Sequence, residues 1–255
     1  MKLAKKVVIV SGGSQGIGEA IARLYAKEGA LVAVVSSSDV GKAQVVVDGI
    51  VDAGGVARAY ACDVRDTAQV ARLFTDVQRA LGPLDILLNA AGVFYPTPAG
   101  TTPEADFDKM VDINLKGTWH MISAAVPGMK TRHSGKIICM ASVASSYGVA
   151  PFSIYCATKA AVVQMVRTLA LELAPHGVQI NAISPGNTAS PMNQALRSDP
   201  ARVAAIAAVT PSGRAFSDVD DIAAIALFLA SDASRAMHGS CLLADEGISC
   251  GTVAH

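Results

Sequence analysis

The apolar run 7–10 (VVIV) gives way at once to the loop S11-G-G-S-Q-G-I-G18, and this junction constrains the fold more than any other stretch. A short apolar run bounded by Lys6 and Ser11 reads as a buried strand. Residues 19–28 (EAIARLYAKE) read as a helix, and Gly29 supplies its C-terminal stop. Between them, glycines let the chain turn sharply and let backbone N–H groups approach a diphosphate at a helix N-terminus. The spacing Gly12, Gly16, Gly18 is G-x-x-x-G-x-G rather than the commoner G-x-G-x-x-G. The strand–loop–helix setting, more than the glycine count, gives the motif its meaning.

The rest of the chain repeats this alternation. Apolar runs at 31–35, 57–63, 84–92, 135–142, 178–186 and 240–247 read as strands. Helical patterns cover 41–53, 67–81, 104–129, 153–174 and 218–231. The strands are continuous apolar runs, which predicts burial on both faces and a doubly wound α/β fold. Its seven-stranded, mostly parallel sheet lies between helices on both faces, a three-layer sandwich. An eight-stranded barrel fits less well, because about seven strands can be counted and the first loop is glycine-rich. No linker or repeat interrupts residues 1–255, which predicts one domain, with the proline-punctuated 191–216 as a segment covering the substrate.

Lys plus Arg and Asp plus Glu both number 21, so there is no basic field for nucleic acid or an anionic membrane. The five cysteines form no CxxC pair and the histidines have no metal-ligand spacing, so no metal site is expected. The apolar part of MKLAKKVVIV is too short for a signal peptide, and no run suggests a membrane span. A cytoplasmic protein with free thiols and a small-molecule ligand is expected.

Within the helix 153–174, Tyr155 and Lys159 stand four residues apart and so share a face. Taken alone, each has an ordinary role: a core tyrosine, a surface lysine, Ser142 as a cap, Asn114 as a polar helix residue. Taken in order, SGGSQGIG, LNAAG (88–92), Asn114 in VDINLKG, Ser142 after the fifth strand and YCATK resemble the classical short-chain dehydrogenase/reductase family. The likeness runs on through SPGNTASPM (184–192) to the closing ADEG.

That resemblance implies a Rossmann-type fold and hydride transfer between a nicotinamide cofactor and an alcohol or ketone, with a tetrad of Asn114, Ser142, Tyr155 and Lys159. A free phenol titrates near ~10 and is a poor base at neutral pH. A neighbouring ammonium stabilises the phenolate, which suits Tyr155 to general acid/base work beside Lys159. Ser142 would hold and polarise the substrate oxygen. Asn114 would position a relay water, and Lys159 would also bond the cofactor ribose.

The same resemblance places the cofactor along Gly12, Ser14, Gln15, Gly16, Ile17 and Gly18. Asp63 and Val64 fall at the adenine, Asn89, Ala90 and Gly92 along the middle, and Tyr155 and Lys159 at the ribose. Pro185, Gly186, Thr188 and Ser190 (where Thr is commoner) fall at the nicotinamide. At the end of the second strand, the acidic residue of NAD-type members is replaced by Ser36. The Arg or Lys of NADP-type members is also missing, with Gln15 and Ser37 in those places. Ser36, Ser37 and Ser38 offer hydroxyls to a 2′-phosphate, with Lys42 within possible reach and Asp39 opposed. NADP is therefore favoured, with NAD as the alternative.

Substrate contacts are expected from Ser142, Ala144, Tyr147, Phe94, Tyr95, Phe152, Asn187 and Met192, and Val93 lies beside them. This mixed apolar and aromatic set suits a secondary alcohol or polyol, or the matching ketone. A 3-oxoacyl thioester is the alternative, with Arg197, Arg202 and Arg214 as its basic patch. A dinucleotide-binding scaffold without activity is a distant third, since all four tetrad residues are present. The resemblance also implies a homotetramer or dimer, paired through helices 104–129 and 153–174. There Ala124, Ala125, Val162, Val163 and Val166 fit either an interface or a core.

Overall fold

In the computed structural model, which describes residues 1–251, the first strand β1 (Val7–Ser11) is buried at every position. It lies between β2 (Leu31–Ser36) and β4 (Ile86–Asn89), parallel to both. With β3 (Val56–Ala61), β5 (Gly135–Met140), β6 (Val178–Pro185) and β7 (Cys241–Ala244) they form a seven-stranded sheet of order β3-β2-β1-β4-β5-β6-β7. Every strand pair is parallel. The order reverses direction between β1 and β4, and at such a reversal the connecting loops diverge and leave a crevice.

Helices cover both faces. α1 (Gly16–Lys27), α2 (Val40–Asp52) and α9 (Val219–Ala230) pack Ile21, Tyr25, Val46 and Ile222 against Val8 and Val10. On the opposite face α3 (Thr67–Leu81), α5 (Thr118–Arg132) and α6 (Ser153–Leu173) bring Leu73, Met121 and Val166 against Val7 and Ile9. Residues alternate across β1 between two cores, which is why its run is apolar without a break. The edge strands depart from that pattern: β3 exposes Val56, Arg58 and Ala61, and β7 exposes Leu243. Local chemistry sets the helix starts. The Asp39 carboxylate accepts from Gly41 N–H, Asp66 from Ala68 and Gln69, and Asp199 from Ala201 and Arg202.

Two expectations change. The helix over 104–129 is interrupted: α4 (Glu104–Val111) passes into a π-helical turn, Asp112–Gly117, before α5. A 3.6-residue apolar period cannot reveal one inserted residue, and such turns favour functional sites. Residues Ser153–His176 are also long and apolar enough to cross a membrane by length and composition, contrary to the sequence reading. Here they form a core helix, with Val162, Val166 and Leu173 buried on the sheet. Ala125, Val162, Val163 and Val166 are core residues rather than surface ones, and Ala124 packs at the edge of the same cluster. Residues 191–216 fold into a 3₁₀ turn at Pro191–Asn193, α7 (Gln194–Arg197) and α8 (Pro200–Val209).

Candidate active site

The carboxyl ends of the strands converge on one rim. β1 delivers the glycine loop, β4 leads to Ala90–Gly92, β5 leads to Ser142, and β6 ends in Pro185. The loop is drawn in tightly. A Cβ on Gly12 would lie 2.8 Å from the Ala90 carbonyl, and one on Gly18 would lie 2.2 Å from Gly12 O. Gly12 and Gly16 take φ of +67° and +57°, a region that suits glycine. No side chain caps the N-terminus of α1, so its first N–H groups face the crevice for an anion. A backbone held this close to β4, with uncapped amides, fits a dinucleotide diphosphate. Ser14, Gln15 and Ile17 lie on the same turn and keep exposed surface, as does Gly16, which faces Ser190 and Pro191 across the crevice.

The four tetrad side chains meet where β4, the π turn, β5 and α6 come together. Ser142 lies beside the Tyr155 phenol and lowers its titration, and its Oγ accepts from Ala144 N–H, so it caps the 3₁₀ turn Val143–Ser145 as well. Lys159 Nζ sits 5.6 Å from the Tyr155 ring centroid and donates to Met140 O at 2.8 Å. Asn114 clamps the Val93 backbone from both sides, accepting from its N–H at 2.8 Å and donating to its carbonyl at 3.0 Å. Its amide also donates to Thr158 Oγ1, whose hydroxyl donates to Tyr155 O. Gly92 makes room: a Cβ there would lie 3.3 Å from Asn114 Oδ1 and 3.7 Å from Lys159 Nζ.

Burial raises the Tyr155 phenol above its ordinary value, and the Ser142 hydrogen bond works against that rise. Burial lowers Lys159 from 10.5 to about 8. An ammonium stripped of water by burial, though costly to keep charged, acts strongly on a neighbouring phenolate because little solvent screens it. The pair suits proton exchange with a substrate hydroxyl held at Ser142. A nicotinamide bound in the crevice would accept or supply the hydride. There Tyr155 would hold or take the hydroxyl proton, Ser142 would fix the oxygen, and Lys159 would stabilise the charged phenol.

Several expected residues sit differently. Ser36 is buried, and its hydroxyl donates to Asp39 O at 2.6 Å, with Tyr60 O also within reach at 3.3 Å. Its single proton is spent inside the fold, so it is no donor to a phosphate here. Ser37 and Ser38 are exposed, and the Asp39 carboxylate is held by Gly41 N–H. Asn89 is likewise buried: Ser11 Oγ donates to its Oδ1, and its amide donates to Thr118 O, tying β1, β4 and α5 together. Asp63 is gripped by Arg65 through both carboxylate oxygens, which holds its carboxyl below the usual range. Val64 is buried, with its carbonyl on His120 Nδ1.

On the substrate side, Phe94 stacks on Phe152 at 4.3 Å and meets Tyr155 edge-on at 4.8 Å. Ala144 is buried beneath Ser142. Tyr95 turns toward α4, donating to Asp106 O at 2.7 Å. Tyr147 and Met192 are exposed at the rim, and Asn187 is half-buried. Pro185 is buried, Gly186 presses on Asp245, and Thr188 is buried, with its hydroxyl on Gly186 O. Ser190 and Asn193 form the capping box of the turn that follows. The sequence reading missed Thr97, which is buried and joins the 93–97 loop to α6: its N–H donates to Pro151 O and its hydroxyl accepts from Ile154 N–H. It also missed Thr158, although Thr158 sits between Tyr155 and Lys159.

A family model described as enoyl-(acyl carrier protein) reductase, of the short-chain alcohol dehydrogenase type, matches residues 12–249. D-threitol dehydrogenase of Mycolicibacterium smegmatis is 37% identical over 96% of this chain and 94% of its own length. Galactitol 2-dehydrogenase of Agrobacterium fabrum is 36% identical over 91% and 92%. The crystal structure of a gluconate 5-dehydrogenase from Burkholderia cenocepacia, in complex with NADP and tartrate, superposes with a TM-score of 0.93 at 30% identity, covering 98% of this chain and 97% of that one. The tetrad, the glycine loop and these likenesses agree: the chain belongs to the classical short-chain dehydrogenase/reductase family, whose members are NAD(P)-dependent oxidoreductases of alcohol groups.

Proposed function

We propose that this chain transfers hydride between NADP and a secondary alcohol of a polyol, or the matching ketone, with Tyr155 as general acid/base. The observation that carries the chemistry is the contact of Ser142 with Tyr155 above a buried Lys159. The polyol reading draws on relatives that act on threitol and galactitol. NADP is supported by the gluconate 5-dehydrogenase complex and by Ser36, in place of a carboxylate, at the end of the second strand, with Asp39 three residues on as an exposed helix cap. Ser37, Ser38 and Lys42 are the exposed groups there that remain for a 2′-phosphate.

The thioester alternative loses much of its support. Arg202 pairs with Asp199, and Arg214 pairs with Asp218, Asp221 and Glu246, so two of its three basic residues are neutralised. Arg197 donates to Asn193 and Ser190 O. The proposal includes a homotetramer that uses the outer faces of α5 and α6, where exposed Trp119 borders a groove with Ala161 and Met165. It also places the protein in the reducing cytoplasm, consistent with five free thiols.

Nicotinamide fluorescence titrations with NADPH and NADH, followed by oxidation assays on threitol and galactitol, test the reading. Tighter NADPH binding with turnover of a polyol is the expected result. Tighter NADH binding would move the cofactor assignment, and binding without turnover of any alcohol or ketone would sink the proposal. Sedimentation of a monomer would remove the tetramer.

A further inference from the structure

Glu246 adopts φ +58°, a left-handed conformation that is uncommon for a residue with a side chain. Such backbone persists where its surroundings over-determine it. Glu246 is held at three points. Its carbonyl accepts from Ser212 N–H at 3.2 Å, and its Oε1 accepts from the Ser217 hydroxyl at 2.9 Å and faces Arg214 Nη1 at 3.3 Å. Arg214 has two further acids, Asp218 and Asp221. Ser217 is buried, and Glu246 is the acceptor its hydroxyl uses.

Ser217 in turn grips the backbone on both sides of Thr188. Its N–H donates to Asn187 O at 2.8 Å, and its carbonyl accepts from Ala189 N–H at 2.9 Å. Below, Gly186 N–H donates to Ala244 O at 2.9 Å, so the segment from Gly186 to Ala189 is anchored at three points along its length.

We propose that Glu246 is a positioning residue for the nicotinamide end of the site: through the Ser217 hydroxyl it fixes the Asn187–Ala189 backbone. The inference rests on the assignment of residues 185–190 to the nicotinamide. It predicts a selective effect. Loosening this segment weakens the part of the cofactor it meets and spares the adenine end at Asp63 and Val64, which follow β3 at the opposite edge of the sheet order.

The test compares binding of NADPH with binding of 2′-phospho-ADP-ribose, the same molecule without nicotinamide. Glu246→Gly suits the left-handed backbone and removes the acceptor. Its NADPH affinity should fall about tenfold, the size expected for one hydrogen bond to a charged group, while the fragment changes by less than about twofold. Glu246→Gln keeps an acceptor oxygen and should restore NADPH affinity to within about twofold. Ser217→Ala, a second route to the same loss should Glu246→Gly fold poorly, should reproduce the selective effect. Adding Glu246→Gly to it should cost little more, because both remove one contact.

Equal losses on both ligands would mark Glu246 as merely structural and overturn the proposal. So would unchanged NADPH binding, or a Glu246→Gln variant as weak as Glu246→Gly. A wild-type protein that binds NADPH no tighter than the fragment would instead break the assignment of 185–190, and that outcome is separate from the others.

Discussion

The floor of the site and the segment above it are built in opposite ways. Asn114, Ser142 and Lys159 are buried, and each is bonded to backbone from a different element. α7 and α8, which follow Ser190, bury no residue at all, although α8 reads PARVAAIAAV. The floor pays for desolvated charge and gains a fixed geometry. The upper segment keeps its apolar side chains only partly covered and stays inexpensive to rearrange. Chemistry shared across a family belongs on the first kind of structure, and substrate choice belongs on the second.

Lys159 gives the largest expected break in that contrast. Lys159→Met removes the field on the phenol, and turnover should fall by about a hundredfold or more. The same variant should be more stable than wild type at neutral pH. The folded-state value of about 8 lies below the ordinary 10.5, so between them the unfolded chain binds the extra proton and wild-type stability rises with pH. The variant's advantage should therefore be full below about pH 8 and fade toward 10.5, read from urea unfolding across that range. A constant difference would contradict a buried, destabilised ammonium.

Asn114→Ala comes next. It removes both bonds to Val93 and leaves that backbone without its partners, at a cost of about 2–3 kcal/mol by denaturant midpoint, together with lost turnover. An unchanged midpoint would mean that the π turn, rather than the amide, holds the 93–97 loop.

Phe94→Ala opens the aromatic wall beside Tyr155. We expect KM for alcohol substrates to rise by about tenfold while kcat shifts less, because the ring packs edge-on against the Tyr155 ring and carries no proton of its own. A larger fall in kcat than rise in KM would place Phe94 with the floor.

Ile206→Ala in α8 is the smallest. Half-exposed, it should change stability by less than about 0.5 kcal/mol, although KM can move. A loss of several kcal/mol would show α8 to be packed core and end the contrast.

What the sequence made legible follows the same division. Apolar runs and glycine punctuation carried the succession of strands and helices along the chain, and the i, i+4 spacing put Tyr155 and Lys159 on one face, where the family resemblance suggested their chemistry. Bonds between distant segments left no periodic trace. Ser36 looked available at the end of β2, yet its hydroxyl turned to Asp39 O. The extra residue of the π turn, the Thr97 junction and the Ser217–Glu246 contact all join parts far apart in the chain or break a period locally, so composition and spacing are silent on them.

The most direct test of the central claim is Tyr155→Phe, measured two ways on the same preparation. NADPH binding by fluorescence should stay within about twofold of wild type, while turnover of the active alcohol should fall about a thousandfold or more, since only the proton-carrying hydroxyl is lost. Turnover close to wild type with binding intact would contradict the account, because the buried floor would then not carry the reaction.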